Sequence, residues 1–102
     1  MQVLKFGGSS VANASSIKQV IQIIKEASES DRTIVVISAL SGVTNTLEAT
    51  GRLAACGDTV YLDKIKELEE RHAEVTDRLL PQDFRGDVNQ ILSNLFEKLR
   101  EV

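Results

Sequence analysis

Apolar residues in the first part of the chain follow a strand, helix, strand order. A short apolar run from Val3 to Phe6 stops at two glycines and predicts a buried strand. A helix with one apolar face is then predicted from the spacing of Ile17, Val20, Ile21, Ile24 and Ala27. Candidate N-caps precede it at Asn13, Ser15 and Ser16. The β-branched run within residues 33–38 predicts a second buried strand, so the order indicates a βαβ unit with parallel strands.

Only helical periodicity follows in the rest of the chain. A helix is predicted with Val43, Leu47 and Ala54 on one face and an end near Gly57. A longer helix, ended by Pro81, is predicted from the spacing of Leu62, Ile65, Leu68, His72, Val75 and Leu79. A last helix has an apolar face at Val88, Ile91, Leu92, Leu95, Phe96 and Leu99. The motifs divide the chain into residues 1–60, with two strands, helices and polar loops, and a helical segment, residues 61–102.

The predicted sheet is small for an independent domain. Two parallel strands leave both sheet edges unpaired, and such a sheet is marginal by itself. The helical pattern also continues to Glu101 and Val102 without a capping signal. We therefore expect a fragment of a larger α/β domain, which more chain or a partner completes.

Composition narrows the classes of function. The chain has 102 residues and a formal net charge of -3, with both signs mixed along it. No basic stripe favours nucleic acid or an anionic membrane surface, and the few aromatic residues do not favour base stacking. Cys56 is the only cysteine, so no intrachain disulfide can form. Without a signal-peptide pattern or a long apolar run, we expect a cytoplasmic protein.

The first polar loop follows the first strand. Lys5 lies near the end of an apolar strand, where its ammonium needs an anion or water. Gly7 and Gly8 allow the backbone to approach a ligand closely, and their amides can form a nest for phosphate oxygens. An ordinary strand-to-helix turn with a solvated lysine explains the pattern equally well. The P-loop and dinucleotide-binding motifs are both absent.

A second polar loop follows the second strand and contains Ser38, Ser41, Thr44 and Asn45. Ligands of open α/β sheets bind beyond the carboxyl ends of the strands, so these side chains are candidates for holding a small polar substrate. By chemistry alone, a helix start capped by Ser41 or Thr44 is the favoured alternative. Both loops should open on the same edge of the sheet, and this favours a shared site.

Together the two loops resemble the N-terminal signature blocks of aspartokinases. The first block is Lys5-Phe6-Gly7-Gly8-Ser9-Ser10-Val11-Ala12. The second block is Val36-Ile37-Ser38-Ala39-Leu40-Ser41-Gly42-Val43-Thr44-Asn45. The resemblance is clear over residues 1–55 and softer over residues 60–80, where it includes Glu70-Arg71-His72. The run Ser10-Val11-Ala12-Asn13 is similar to that of bifunctional aspartokinase–homoserine dehydrogenases.

This resemblance implies the N-terminal part of an amino-acid-kinase domain, an α/β/α sandwich around a mostly parallel sheet. It implies ATP-dependent phosphorylation of the L-aspartate side-chain carboxylate to 4-phospho-L-aspartate, with Mg²⁺. That reaction is the first step of lysine, threonine, methionine and isoleucine biosynthesis. The implied partners are L-aspartate, ATP, the rest of the kinase domain and regulatory ACT domains, in a homo-oligomer.

The resemblance also implies roles for individual residues. Lys5 would contact the transferring phosphates and offset charge in the transition state. Gly7 and Gly8 would supply backbone donors to ATP, and Ser9 would line the same phosphate region. The residues near aspartate would be Ser38, Ala39 and Thr44. No metal ligand is implied within this chain. Since the family's remaining substrate and nucleotide residues come later in its sequences, we expect this chain alone to be inactive.

Two alternatives stay open at this point. One is another amino-acid kinase, acting on glutamate, acetylglutamate or a nucleotide. The other is a non-catalytic α/β interaction module that docks a partner on the apolar seam within residues 62–79. His72 is expected to pack, or to pair with Glu69 or Thr76, rather than to bind a metal. Cys56 is expected to be a small packing residue rather than a nucleophile.

Overall fold

The computed structural model describes residues 1–102. It contains two strands, β1 (Gln2–Phe6) and β2 (Thr33–Ile37). The four α-helices are α1 (Ala14–Ser30), α2 (Val43–Ala55), α3 (Tyr61–Leu79) and α4 (Gln82–Glu101). A short 3-10 helix, Gly8–Val11, lies between β1 and α1. All the predicted strands and helices are therefore present.

The chain folds into two compact units, residues 1–42 and residues 43–102. The first unit holds the sheet, the 3-10 helix and α1, and the second holds α2, α3 and α4. The division predicted from the motifs falls at residue 60 and places α2 with the two polar loops. That division stays a prediction. None of the helices combines the length and apolar character that crossing a membrane requires.

In the first unit, β1 and β2 pair in parallel, with Lys5 opposite Val36 and Phe6 opposite Ile37. The predicted βαβ unit with parallel strands is confirmed. One face of this sheet is turned toward α1, because the Gln2 side-chain amide donates to the Ala27 carbonyl at 2.9 Å. Side chains alternate across a strand, so Lys5 lies on the opposite face of the sheet from Gln2.

The prediction that both strands are buried is wrong for this chain. Every residue of β2 after Thr33 is exposed, and Ile37 at its end is 62% exposed. Val3 in β1 is exposed as well. A parallel strand is buried when strands flank it and layers cover both faces. Here the sheet has only two strands, and α1 is the only long helix in its unit.

The start of α1 is fixed by a side-chain cap. Asn13 has an extended backbone, and its side-chain oxygen accepts a hydrogen bond from the Ser16 amide at 2.9 Å. This bond satisfies one of the amide donors that every helix leaves unpaired at its N-terminus. Asn13 was one of three predicted caps, and the structure selects it over Ser15 and Ser16.

Replacing Asn13 by alanine is expected to lower the free energy of unfolding by about 1 kcal/mol, because the Ser16 amide loses its acceptor. Urea denaturation followed by circular dichroism measures this loss. Asn13→Ser is the matched control: it keeps a side-chain oxygen, and its stability should stay within about 0.3 kcal/mol of the parent chain. Equal losses in the two variants would show that the oxygen does not stabilise α1.

In the second unit, α2, α3 and α4 share a small core. Its buried residues are Val43, Thr50, Ile65, Leu68, Thr76 and Phe96. An ion pair between Glu69 and Arg100 joins α3 to α4. The chain leaves α2 as predicted, because Gly57 just beyond it has a φ of 76°, which other residues rarely adopt.

His72 packs in this core, as predicted. Its ring lies edge-on to the ring of Phe96, with 5.5 Å between the centroids. Its Nδ1 lies 2.7 Å from the Leu68 carbonyl oxygen. The predicted pairing of this ring with Glu69 or Thr76 is not observed, since the Thr76 hydroxyl donates to the His72 backbone carbonyl. The ring also borders an open cavity of about 280 Å³ whose other walls are Val43, Leu47, Leu68, Leu95, Phe96 and Leu99.

The helical faces differ in part from those predicted. Six residues expected on apolar faces are exposed: Ile21 in α1, Leu47 and Ala54 in α2, Leu62 in α3, and Ile91 and Leu95 in α4. Two threonines are buried in the core instead. The Thr50 hydroxyl donates to the Thr46 carbonyl at 2.7 Å, and Thr76 makes the same bond one turn back. A hydroxyl that is satisfied within its own helix can be buried at little cost, so the methyl group of the threonine is free to pack.

Candidate functional site

The first polar loop leaves the sheet at the end of β1. Gly7 is extended, with φ -77° and ψ 179°, and its carbonyl accepts a hydrogen bond from the Ser10 amide at 3.1 Å. This bond closes the first turn of the 3-10 helix, and Val11 anchors that turn by its burial. The longer helix α1 begins only at Ala14, after this 3-10 helix. The donors near Gly8 therefore belong to a short turn.

The second polar loop is fastened to the first at its base. The Ser38 amide donates to the Phe6 carbonyl at 3.1 Å, which continues the parallel pairing one residue past β2. The Ser38 hydroxyl donates to the Ala39 carbonyl at 2.6 Å. Gly42 then turns the chain with a φ of 82°, in the left-handed region that favours glycine. The two loops thus start side by side at the carboxyl ends of the two strands.

Gly8 of the first loop lies near the second loop. A methyl group built on its Cα would lie 3.4 Å from the Ser41 Cα, 3.6 Å from the Ser38 Oγ and 3.9 Å from the Ala39 carbonyl oxygen. A methyl group built in the same way on the Cα of Gly7 would have no atom within 4 Å. Both polar loops therefore open on one edge of the sheet, as expected, and Gly8 faces the second loop across a narrow gap.

The structure brings some of the predicted site residues together and leaves others apart. Gly8 lies against Ser38 and Ala39, and all three belong to the first unit. Lys5 is exposed on the sheet face opposite α1, and no carboxylate of the chain forms an ion pair with its ammonium. Thr44 is an exposed residue in the first turn of α2, in the second unit.

The two remaining site residues, Gly7 and Ser9, are exposed in the first loop, and Ser38 and Ala39 are exposed in the second. The sequence does not predict the contributions of the Phe6 carbonyl and of the Ser41 backbone. The Phe6 carbonyl binds the second loop, and the Ser41 backbone forms one wall of the gap at Gly8. Both contributions are made by backbone atoms, and no side-chain pattern signals them.

The chemistry of these loops suits a phosphate or a small polar molecule. They offer an ammonium group, hydroxyls and backbone amides, which are donors to anionic oxygen atoms. Neither loop contains an aspartate or a glutamate. No group of three histidine, cysteine, aspartate or glutamate residues in the chain could hold a metal ion. The residues present therefore do not make a magnesium site by themselves.

Comparison with known proteins defines the class to which this fold and these loops belong. The model of the amino acid kinase family matches residues 1–99. The chain belongs to the amino acid kinase family. The match and the parallel sheet with its helices confirm the predicted fold class, an α/β N-terminal part of an amino-acid-kinase domain.

Within this family the chain is similar to aspartokinases. It is 41% identical over 69 residues to the aspartokinase of Rickettsia conorii, covering 67% of this chain and 16% of the relative. It is 43% identical over 72 residues to the aspartokinase of Chlamydia trachomatis, covering 71% of this chain and 16% of the relative. It is 34% identical over 104 residues to the chloroplastic bifunctional aspartokinase/homoserine dehydrogenase 2 of Arabidopsis thaliana. This match covers 98% of this chain and 11% of the relative. The chain spans about a sixth or less of the length of these relatives.

Proposed function

We propose that this chain supplies the first phosphate-binding and aspartate-binding loops of an aspartokinase. The enzyme transfers the γ-phosphoryl group of ATP to the side-chain carboxylate of L-aspartate and forms 4-phospho-L-aspartate. The observation that carries the proposal is the close approach of the two loops at Gly8, where a Cβ atom would lie within 4 Å of Ser38, Ala39 and Ser41. Transfer between two bound molecules requires their sites to adjoin, and these two loops adjoin. The names of the similar proteins support aspartate as the acceptor.

The first loop is proposed to hold the phosphates of ATP. Gly7 and Gly8 offer backbone amides, and the hydroxyl of Ser9 lines the same region. The ammonium of Lys5 is exposed and has no carboxylate partner, so it is available to a phosphate group. Phosphoryl transfer depends mainly on positioning the reactants and on stabilising negative charge, and the ammonium of Lys5 stabilises this charge.

The second loop is proposed to hold aspartate. Ser38 contributes its hydroxyl beside the gap at Gly8, and Ala39 contributes its backbone. Thr44, in the first turn of α2, adds a further hydroxyl. Aspartate carries two carboxylates and an ammonium, and these small groups offer it both donors and acceptors.

The remaining parts of the site are proposed to come from elsewhere. Magnesium lowers the charge of the ATP phosphates, and its carboxylate ligands are supplied from outside this chain, because neither loop has one. The rest of the kinase domain completes the nucleotide and aspartate sites. Regulatory ACT domains and assembly into a homo-oligomer complete the proposed enzyme, which begins the biosynthesis of lysine, threonine, methionine and isoleucine.

A bifunctional parent protein is favoured by the extent of the similarity. The match to the Arabidopsis bifunctional protein covers 98% of this chain, whereas the match to the Rickettsia conorii aspartokinase covers 67%. The longer match takes in nearly all of the helical unit, residues 43–102. We therefore propose that a homoserine dehydrogenase accompanies the kinase in the parent protein.

The reaction is tested by expressing the complete reading frame that contains residues 1–102 and offering the protein ATP with four acceptors. These are L-aspartate, L-glutamate, N-acetyl-L-glutamate and a nucleoside monophosphate. We expect ADP release with L-aspartate, and hydroxylamine should trap the acyl phosphate as a hydroxamate. ADP release with another acceptor but not with aspartate would replace the proposal by a related kinase activity.

Residues 1–102 alone are expected to release no ADP with ATP and aspartate, because they contain neither the magnesium ligands nor the rest of the two binding sites. The same coupled assay, with the complete protein as the positive control, measures this. Aspartate-dependent ADP release by the purified chain would contradict the expectation and would place a complete site within these residues.

A further inference from the structure

The two adjacent glycines of the first loop have different surroundings. Gly7 has backbone angles that any residue adopts, and a methyl group on it would meet open space. A methyl group on Gly8 would point at the second loop, toward the Ser38 hydroxyl, the Ala39 carbonyl and the Ser41 backbone. Because Gly8 has no side chain, the space between its Cα and the second loop stays unfilled.

From this difference we infer that Gly8 is a positioning residue for the amino-acid site, although it lies in the phosphate loop. The inference rests on the proposed function. Its basis is the direction of the Cα–Cβ bond at residue 8, which points across the gap to Ser38. The absence of a side chain keeps the Ser38 hydroxyl accessible to the substrate. An alanine at this position would cover the hydroxyl from one side.

The gap is held at a fixed width by bonds on both sides. Ser38 is tied to the end of β1 by its amide bond to the Phe6 carbonyl. The turn that carries Gly8 is closed by the bond from Ser10 to Gly7 and is anchored by the buried Val11. Because both walls are fastened, the loops cannot separate freely to make room for a methyl group and a substrate together.

An alanine at position 8 should nevertheless leave the fold intact. The shortest distance from the added methyl group is 3.4 Å, to the Ser41 Cα, which is an ordinary van der Waals contact. The amide of residue 8 is also retained, so its hydrogen bond to a phosphate oxygen is still possible. The substitution thus removes space from the amino-acid side of the site while it preserves the donor on the phosphate side.

The test compares Gly8→Ala with Gly7→Ala in the complete protein. Gly8→Ala is expected to raise the KM for aspartate roughly tenfold to a hundredfold, the size of effect that one misplaced carbon atom has in a substrate pocket. The KM for ATP should change less than about threefold. Gly7→Ala, whose methyl group meets no atom within 4 Å, should raise the KM for aspartate less than about threefold, and any larger effect of this variant should fall on the KM for ATP. Calorimetric titration with aspartate alone and with ATP alone gives the same comparison without turnover.

Two controls keep the outcomes distinct. The first is thermal unfolding, which shows whether the Gly8→Ala protein is folded. The second is Ser38→Thr, which adds a methyl group from the other side of the gap. If Gly8→Ala does not fold, Ser38→Thr replaces it and should give the same rise in the KM for aspartate. An unchanged KM for aspartate in the folded variants, or equal rises for ATP and aspartate, would overturn the inference. If the unaltered protein fails to phosphorylate aspartate, the proposed function itself is wrong, which is a separate result.

Discussion

Replacing Lys5 by alanine is expected to lower the kcat for aspartate-dependent ATP consumption by at least about a hundredfold in the complete protein. Lys5 is the second-last residue of β1 and is exposed, and Phe6 separates it from the loop that carries Gly7 and Gly8. Negative charge on the transferring phosphoryl group must be balanced in the transition state, and its ammonium is the cationic group nearest in sequence to the phosphate loop. Without the Lys5 ammonium, the backbone amides of Gly7 and Gly8 remain as donors, but less of the negative charge on the phosphoryl group is neutralised.

Steady-state kinetics with ATP and aspartate measure the effect, and Lys18→Ala is the matched control. Lys18 is an exposed lysine of α1 in the same unit, and its replacement should leave kcat within about twofold. Because Lys5 is exposed, its loss should not unfold the protein, and circular dichroism checks this. A Lys5→Ala protein that is folded and keeps more than about a tenth of the activity would contradict the role given to this residue.

The strand and loop order was predictable because it depends on local properties of the chain. The β-branched run in β2 and the apolar run in β1 each favour an extended backbone wherever they occur. Burial of the same residues was not predictable from the run alone, since it depends on the layers that cover the sheet. Ile37 shows the difference: it lies in a strand as expected, yet it is exposed.

The placement of the site was predictable only in outline. Parallel strands bring the ends of β1 and β2 to one edge, and this rule predicted that the two polar loops adjoin. The closeness of Gly8 to Ser41 depends in addition on the register, which sets Phe6 opposite Ile37 and lets Ser38 bond to the Phe6 carbonyl. Register is set by packing between strands distant in sequence, so a single sequence does not show it.

The helical unit shows the same limit. Helical spacing predicted α4, but it gave equal weight to every apolar residue on one side of the helix. In the structure Phe96 is buried while Ile91 and Leu95 are exposed. Which part of a wide apolar face is covered depends on how α3 packs against α4, and this packing involves residues far apart in the sequence.

Truncation of Phe96 to alanine is expected to lower the free energy of unfolding of the helical unit by about 3–5 kcal/mol. The Phe96 residue is 8% exposed, and its ring meets the ring of His72 at 5.5 Å between centroids. Alanine would lose this contact and leave a cavity between α3 and α4, bordering the open one already lined by Leu68. The few kcal/mol of stability typical of a small domain do not offset such a loss, so the three helices should be largely unfolded at room temperature.

Phe84→Ala is the matched control, because it removes the same side chain from the same helix. Phe84 is 61% exposed, so its truncation should change the stability by less than about 0.5 kcal/mol. Urea denaturation of both variants of residues 1–102, followed by circular dichroism at a helical wavelength, gives the two losses side by side. A large loss for Phe96 alone means that α4 turns that side toward α3 and leaves the Phe84 side open. Equal losses would mean that both sides of α4 are covered in solution, which would contradict the packing of this unit.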